Sequence, residues 1–239
     1  MKWNVRHIDE TDSTNRWLRE HQEVDAVVAD FQTAGRGCGT NSWESERGKN
    51  LTFSLRLHPA DLPANCQFVV SMANALALKR ALDGYVDGIS IKWPNDIYWR
   101  DRKICGTLIE TTLKGNRVGE CIIGTGINVN QQVFLSDAPN PVSLAQLMGH
   151  EVSCEEVLQR VLRETERYVT MVDGRQWEEV RSSYRRQLYR LGETRLYRLA
   201  DGRVEECKLV NVTDDGHLEL LRDGKETYRF AFKEVQFIL

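Results

Sequence analysis

The sequence predicts an α+β protein: one mixed sheet flanked by helices, followed by a small all-β barrel. Three observations carry that expectation. Strand-like and helix-like segments interleave without the strict alternation of a βαβ repeat, which disfavours a doubly wound parallel sheet. Apolar residues recur at helical spacing over 65–82 and 154–172, whereas Leu51, Phe53, Leu55 and Leu57 alternate with the period of a strand. Past Gly192 the texture shifts to short alternating runs separated by Asp201-Gly202, Asp215-Gly216 and Asp223-Gly224, and Asp-Gly is a strong hairpin signal. A chain of 239 residues has room for two units, expected at residues 1–190 and 191–239.

In order along the chain, residues 5–8 alternate as a short strand. Asp12 or Ser13 then offers an N-cap for a helix through Trp17 and Leu18. Residues 26–31 form a second strand. Between 32 and 50 apolar periodicity vanishes, and Gly35, Gly37, Gly39 and Gly48 mark a long loop, a kind of segment that is usually functional in a compact domain. The 51–57 strand ends at Pro59, and a core-facing helix covers 65–82. Strands are expected at 89–93, 96–99, 103–113, 118–124 and 126–130, with Gly115-Asn116 at a hairpin turn. A loop over 131–141 precedes helices at 143–148, 154–172 and 176–189.

Composition narrows the function class. Hydrophobic residues make up 41% and charged residues 28% of the chain, the balance of a folded globular protein. No apolar run approaches the ~20 residues that span a bilayer, and the first residues lack a signal-peptide core. The expectation is a cytoplasmic protein without a membrane partner. A net charge of -3 and the lack of a basic-aromatic stripe argue against DNA or RNA binding, so any anion site must be local. The six cysteines include no CxxC pair and the five histidines do not cluster, which fits thiols in a reducing compartment and offers no zinc site.

Four segments could carry chemistry. The run from Gln32 and Thr33 through Gly35, Arg36, Gly37 and Cys38 to Trp43 has glycines that admit close backbone approach to an anion and an arginine that forks onto carboxylate or phosphate. It lacks the Gly-Lys-Ser/Thr of a P-loop, and alone it equally describes a surface loop. Lys92-Trp93-Pro94-Asn95-Asp96 reads as a tight turn that places polar side chains at a sheet end, or simply as an Asx turn. Lys103 enters a strand whose alternate positions include Ile104 and Leu108. Its amine can neutralise a reacting carboxylate and then a phosphate, although a lone lysine is more often solvent-facing. Gly124-Thr125-Gly126-Ile127-Asn128 combines small residues with an amide that can address a base or phosphate, and by itself it is only a β-bulge.

Taken in order, Ser13-Thr14-Asn15, the Gly-Arg-Gly loop ending in Trp43, KWPND, RKICG with Lys103, and GTGINVN resemble the run of motifs in the biotin-protein ligase family over about residues 8–130. The resemblance implies a catalytic domain on a mixed sheet like that of class II aminoacyl-tRNA synthetases, followed by an SH3-like barrel. Some members also carry an N-terminal winged helix. With Ser-Thr-Asn beginning at Ser13, the form lacking that DNA-binding domain is expected. The implied reaction consumes ATP with Mg²⁺, converts biotin to biotinoyl-AMP and transfers it to a lysine of a biotin carboxyl carrier protein.

Carried over position by position, the resemblance puts Ser13, Thr14, Asn15, Gln32 and Thr33 around biotin and Arg36 and Gly37 in a loop closing over both substrates. It puts Trp43 on the adenine side, Lys103 at the biotin carboxylate and transferred phosphate, and Asn128 at the nucleotide. Asn95 and Asp96 complete the nucleotide end, Asp96 near Mg²⁺ or the incoming lysine, and Gly106 leaves space beside biotin. Metal ligands are not assigned.

The chain departs from the family at Cys38, where many members have a second arginine. A neutral thiol there predicts a looser closed loop and earlier escape of biotinoyl-AMP unless Arg47 or Lys49 substitutes. A catalytic thiol is disfavoured because no histidine lies nearby in sequence. The rival readings are a lipoate or octanoate ligase, which shares the adenylate logic, a nonenzymatic binding module, and an inactive homo-oligomer. A homodimer paired through the 118–123 strand is left open.

Overall fold

The computed structural model describes residues 3–39, 41–136 and 140–239, so the middle of the expected 131–141 loop and Thr40 of the glycine-rich loop lie outside the described residues. β1 (Val5–Thr11) and β2 (Ala26–Gln32) run parallel, joined through the short helix α1 (Thr14–Glu20). Every other ladder of the large sheet is antiparallel: β3 (Leu51–Leu57), β4 (Ile89–Lys92), β5 (Asp96–Trp99), β6 (Arg102–Lys114) and β7 (Arg117–Ile127) complete the order β1-β2-β3-β7-β6-β5-β4. This is the mixed sheet expected from the sequence.

One face of the sheet carries α2 (Phe68–Leu82), with α4 (Cys154–Asp173) outside it. α2 is buried almost all round because it is packed from both sides. α4 buries one stripe, Val157, Leu158, Val161, Leu162, Thr165, Tyr168 and Val172. It starts where Ser153 Oγ accepts the Glu156 N–H at 3.2 Å. The shorter α3 (Leu144–Met148) opens on a Ser143/Gln146 capping box and ends at Gly149 with φ 77°. On the opposite face α1 packs a small cluster of Leu18, Val24, Val27 and Ile122. No helix among the described residues is long and apolar enough to cross a membrane.

Three expectations need correction. The strands expected at 118–124 and 126–130 merge into one strand, β7, which stops at Ile127 and leaves 128–130 outside it; the glycines do not break it because Gly124 and Gly126 are laddered on both sides, to Ser54 and Leu108 and to Thr52 and Gly106. Two neighbours supply the order that glycine lacks. For the same reason the 118–123 segment offers no dimer edge: β7 lies inside the sheet, and the Val118 N–H bonds Leu62 O at 2.8 Å. The helix α5 (Trp177–Arg186) stops before 189. The residues beyond it cover the β4 edge, where Ile91 N–H bonds Gln187 O at 2.9 Å and Tyr189 N–H bonds Ile91 O at 2.8 Å.

The last fifty or so residues form an antiparallel sheet of five strands, β8 (Thr194–Leu199), β9 (Val204–Val212), β10 (Leu218–Arg222), β11 (Glu226–Phe230) and β12 (Val235–Phe237), in the order β11-β10-β9-β8-β12. Gly202, Gly216 and Gly224 take φ of 86°, 95° and 67° at the three hairpin turns, the left-handed backbone that the Asp-Gly pairs foretold. This sheet shares a continuous core with the large one. Tyr189 stacks on Phe237 at 6.2 Å, Trp93 Nε1 donates to Gly216 O at 2.9 Å, and Arg185 Nε donates to Val212 O at 2.9 Å.

Candidate active site

Strand pairing and the two-residue side-chain period put Ser54 and Arg56 of β3, Ile122, Gly124 and Gly126 of β7, and Gly106, Leu108 and Glu110 of β6 on the face that carries α1. Gly106 and Gly126 are direct partners, so the floor there has no β-carbons. The Trp43 indole lies on it: a β-carbon at Gly106 would sit 3.0 Å from Trp43 Cζ3, and one at Gly126 would fall within the indole itself. Trp43 Nε1 is buried without a hydrogen-bond acceptor among the described residues, a deficit of about 1–3 kcal/mol for a donor left unpaired.

At the α1 end the polar side chains are buried and mutually bonded. Thr14 N–H and Oγ1–H donate to Gln32 Oε1 at 2.8 and 3.0 Å. The Ser54 hydroxyl lies 2.7 Å from Thr14 Oγ1 and 2.6 Å from Asn15 Oδ1. Asn15 Nδ2 donates to Glu110 Oε2 at 2.9 Å. Arg56, only 4% exposed, reaches under α1 and donates to the carbonyls of His21 at 2.9 Å and Val24 at 3.0 Å, and to that of Leu18. Its Nε lies 2.8 Å from Glu120. This buried cation therefore holds the C-terminal end of the helix.

The opposite end is cationic. Lys103 Nζ bonds Asp96 Oδ2 at 2.7 Å. The strand that presents Lys103 is fixed by Lys103 N–H to Asn140 O at 2.8 Å and Val142 N–H to Lys103 O at 2.9 Å. Asn128 braces the same segment, with Nδ2 donating to Val142 O at 3.2 Å. Lys92 donates to the Tyr98 hydroxyl at 3.2 Å and lies over the Tyr98 and Phe237 rings. Burial pushes its ammonium below the usual lysine range; Asp96 opposes that shift, and Lys103 and Arg190 reinforce it.

The glycine-rich loop folds back on itself. Gly37 N–H bonds Asn41 O at 2.8 Å, Trp43 N–H bonds Gly35 O at 2.9 Å, and Arg36 bridges Ser42. Beyond it Glu44 accepts the N–H groups of Leu135 at 2.9 Å and Ser136 at 2.7 Å, tying residues 131–136 to the rim. Arg47 pairs with Glu10 and covers Phe31, and Lys49 pairs with Glu151 at 2.8 Å. Neither lines the cavity, so neither substitutes for a charge at Cys38.

These walls enclose a cavity of about 920 Å³, toward the upper end of the ~300–1,000 Å³ typical of small-molecule sites. Ser13, Thr14, Asn15, Gln32, Arg36, Gly37, Cys38, Trp43, Asn95, Asp96, Lys103, Gly106 and Asn128 all line it. Thr33 does not; it sits one residue past β2 with its N–H on Thr11 O at 2.9 Å. The sequence reading missed Lys92, although it lies within KWPND, and also Phe232, Lys233 and Phe237 from the C-terminal sheet, which line the same cavity. No local signal marks those three. Among the described residues no group of three His, Cys, Asp or Glu could hold a metal unaided.

The sequence model of the Biotin/lipoate A/B protein ligase family matches residues 6–128. A biotin--[acetyl-CoA-carboxylase] ligase of Paracoccus denitrificans is 30% identical over 203 residues, covering 82% of this chain and 83% of that protein. The bifunctional ligase/repressor BirA of Bacillus spizizenii is 38% identical over 143 residues, which are 57% of this chain but only 43% of that protein, so the chain matches less than half the length of that relative. The structure of the Aquifex aeolicus biotin protein ligase in complex with biotin and ATP superposes with a TM-score of 0.81 at 26% identity, covering 98% of this chain and 99% of that one. The cavity, the order of its lining motifs and these likenesses agree: the chain belongs to the biotin/lipoate A/B protein ligase family.

Proposed function

We propose that the chain is a cytoplasmic biotin-protein ligase that joins biotin to ATP as biotinoyl-AMP and passes the biotinoyl group to a lysine of a biotin carboxyl carrier protein. The observation that carries this reading is the polarity of this cavity. A neutral, internally bonded polar end (Thr14, Asn15, Gln32) suits a ureido ring, and a cationic end (Arg36, Lys92, Lys103) suits phosphates, with the glycine floor between them. Residues 1–190 would hold both substrates and residues 191–239 would close the nucleotide end. A lipoate ligase would have less use for the hydrogen-bonding side chains at the neutral end, since a dithiolane has no N–H or C=O to pair.

In the first step a biotin carboxylate oxygen attacks the α-phosphorus, and the bond to the bridging oxygen breaks as pyrophosphate leaves. Lys103 faces both the attacking carboxylate and the phosphoryl oxygens on which charge accumulates, and Asp96 orients its amine. Arg36, from the loop, neutralises the same oxygens. In the second step the carrier amine attacks the acyl carbon, loses a proton, and AMP departs. Mg²⁺ fits this donor set as an ion carried by the triphosphate rather than caged by protein, since of the two carboxylates among the described lining residues Glu44 is held by backbone N–H groups and Asp96 by Lys103; when bound it would supply further neutralisation of the phosphates.

The test is intact-mass measurement after incubating the purified chain with biotin, Mg-ATP and a carrier domain, with lipoate as the competing acid. Mass addition equal to one biotinoyl group is expected, and lipoylation in its place overturns the choice of acid. Lys103→Ala is expected to slow biotinoyl-AMP formation at least about 100-fold; an unaltered rate would remove the lysine from the mechanism.

A further inference from the structure

Among the charged groups that line the cavity, four are cations (Arg36, Lys92, Lys103, Lys233) and two are carboxylates (Glu44, Asp96). Glu44 is occupied by the N–H groups of Leu135 and Ser136, and Asp96 by Lys103. Arg36, Lys92 and Lys233 form no ion pair among the described residues, Lys92 donating instead to the Tyr98 hydroxyl, which leaves a local excess of positive charge in a chain whose net charge is -3. Lys233 comes from the turn between β11 and β12, yet its ammonium fills the space where a β-carbon on Gly39 would sit, with Cε 3.2 Å from that point. The C-terminal sheet thus sets a cation directly against the loop residue that follows the neutral Cys38.

The placement is built rather than incidental. Lys233 has φ 74°, a left-handed backbone that costs a side-chain-bearing residue free energy, and its turn is closed by Ala231 N–H on Glu234 Oε2 at 2.8 Å and Glu234 N–H on Ala231 O at 3.1 Å. The neighbouring Phe232 packs edge-on against Trp93 at 6.0 Å, so the turn is anchored to the sheet-end turn that also bears Asn95 and Asp96. Arg36 and Lys233, both exposed and both lining one cavity, suit a multiply charged anion whose far end reaches solvent.

Resting on the reading of the site as an ATP-dependent ligase, we propose that Lys233 binds the β- and γ-phosphates of ATP, the portion that departs as pyrophosphate. Monophosphate and biotin recognition would be independent of it.

The experiment is titration calorimetry on the full chain with a non-hydrolysable ATP analogue, AMP and biotin, for wild type, Lys233→Ala, Lys233→Gly and Lys233→Arg. Loss of one charge-assisted contact to phosphate is expected to weaken the triphosphate analogue about tenfold in the alanine and glycine variants. AMP and biotin affinities should stay within about twofold, and arginine should restore most of the loss. Lys233→Gly, which suits the left-handed backbone, is expected to melt no lower than wild type, separating charge from folding. Unchanged triphosphate affinity in both neutral variants, or an equal loss for AMP, overturns the inference. A wild-type chain that binds the triphosphate through Lys233 but no biotin would overturn the ligase reading while this assignment stands.

Discussion

Gly124 shows how a single missing β-carbon shapes the neutral end of the cavity. A methyl there would overlap the Asn15 amide oxygen and sit 3.0 Å from its Cγ, and Asn15 is held on its other sides by Ser54 and Glu110. Gly124→Ala is therefore expected to turn the amide out of place and raise the KM for biotin about tenfold, the scale of one lost hydrogen bond plus overpacking, while the KM for ATP stays within twofold; steady-state kinetics checks both. The sequence made these side chains legible because each motif compresses several wall residues into one contiguous run. It left the fate of Arg47 and Lys49 illegible, since nothing near them says that Glu10 and Glu151 will claim their charge. Thr33 shows the opposite limit: one step past β2 the backbone turns it away from the cavity that its neighbour Gln32 lines.

α1 spans only Thr14–Glu20 and has no side-chain cap at Ser13, so its position depends on Arg56 beneath it. Arg56→Met would leave the carbonyls of Leu18, His21 and Val24 and the carboxylate of Glu120 without their cation. Stripping one partner from a buried charged network is expected to cost about 3 kcal/mol and, because α1 carries Thr14 and Asn15, to weaken biotin binding at the same time; urea denaturation and biotin titration measure the two effects. The alternation of Leu51, Phe53, Leu55 and Leu57 announced β3, but all seven of its residues are buried. Periodicity identifies the strand without revealing that a helix covers its polar side. The ends of β7 and α5 were misjudged for a related reason: ladder bonds from two neighbours override glycine's weak strand preference, and pairing with Ile91 draws 187–189 out of the helix.

Across the whole molecule, the C-terminal sheet is docked by the β9–β10 turn, where Gly216 O accepts from Trp93 and the Phe68 ring packs against the glycine. At φ 95°, and with a β-carbon 2.7 Å from Phe68 Cδ2, Gly216→Ala is strained in both backbone and packing. Thermal denaturation should show a loss of about 2 kcal/mol or more, and biotinoyl-AMP formation should fall with it because Trp93 precedes the Asn95-Asp96 turn. A variant as stable and as active as wild type would show the docking to be dispensable. Asp215-Gly216 was legible as a hairpin; its packing partner, 123 residues earlier in the chain, was not. The bare floor formed by Gly106 and Gly126 has a consequence for every affinity measured at this site. With the Trp43 ring already resting there, an arriving planar group enters by trading places with the ring or by lying over it. The free energy recorded is then a balance between two occupants, and altering how well the protein's own ring fits will tune the guest's apparent affinity without touching a single contact the guest makes.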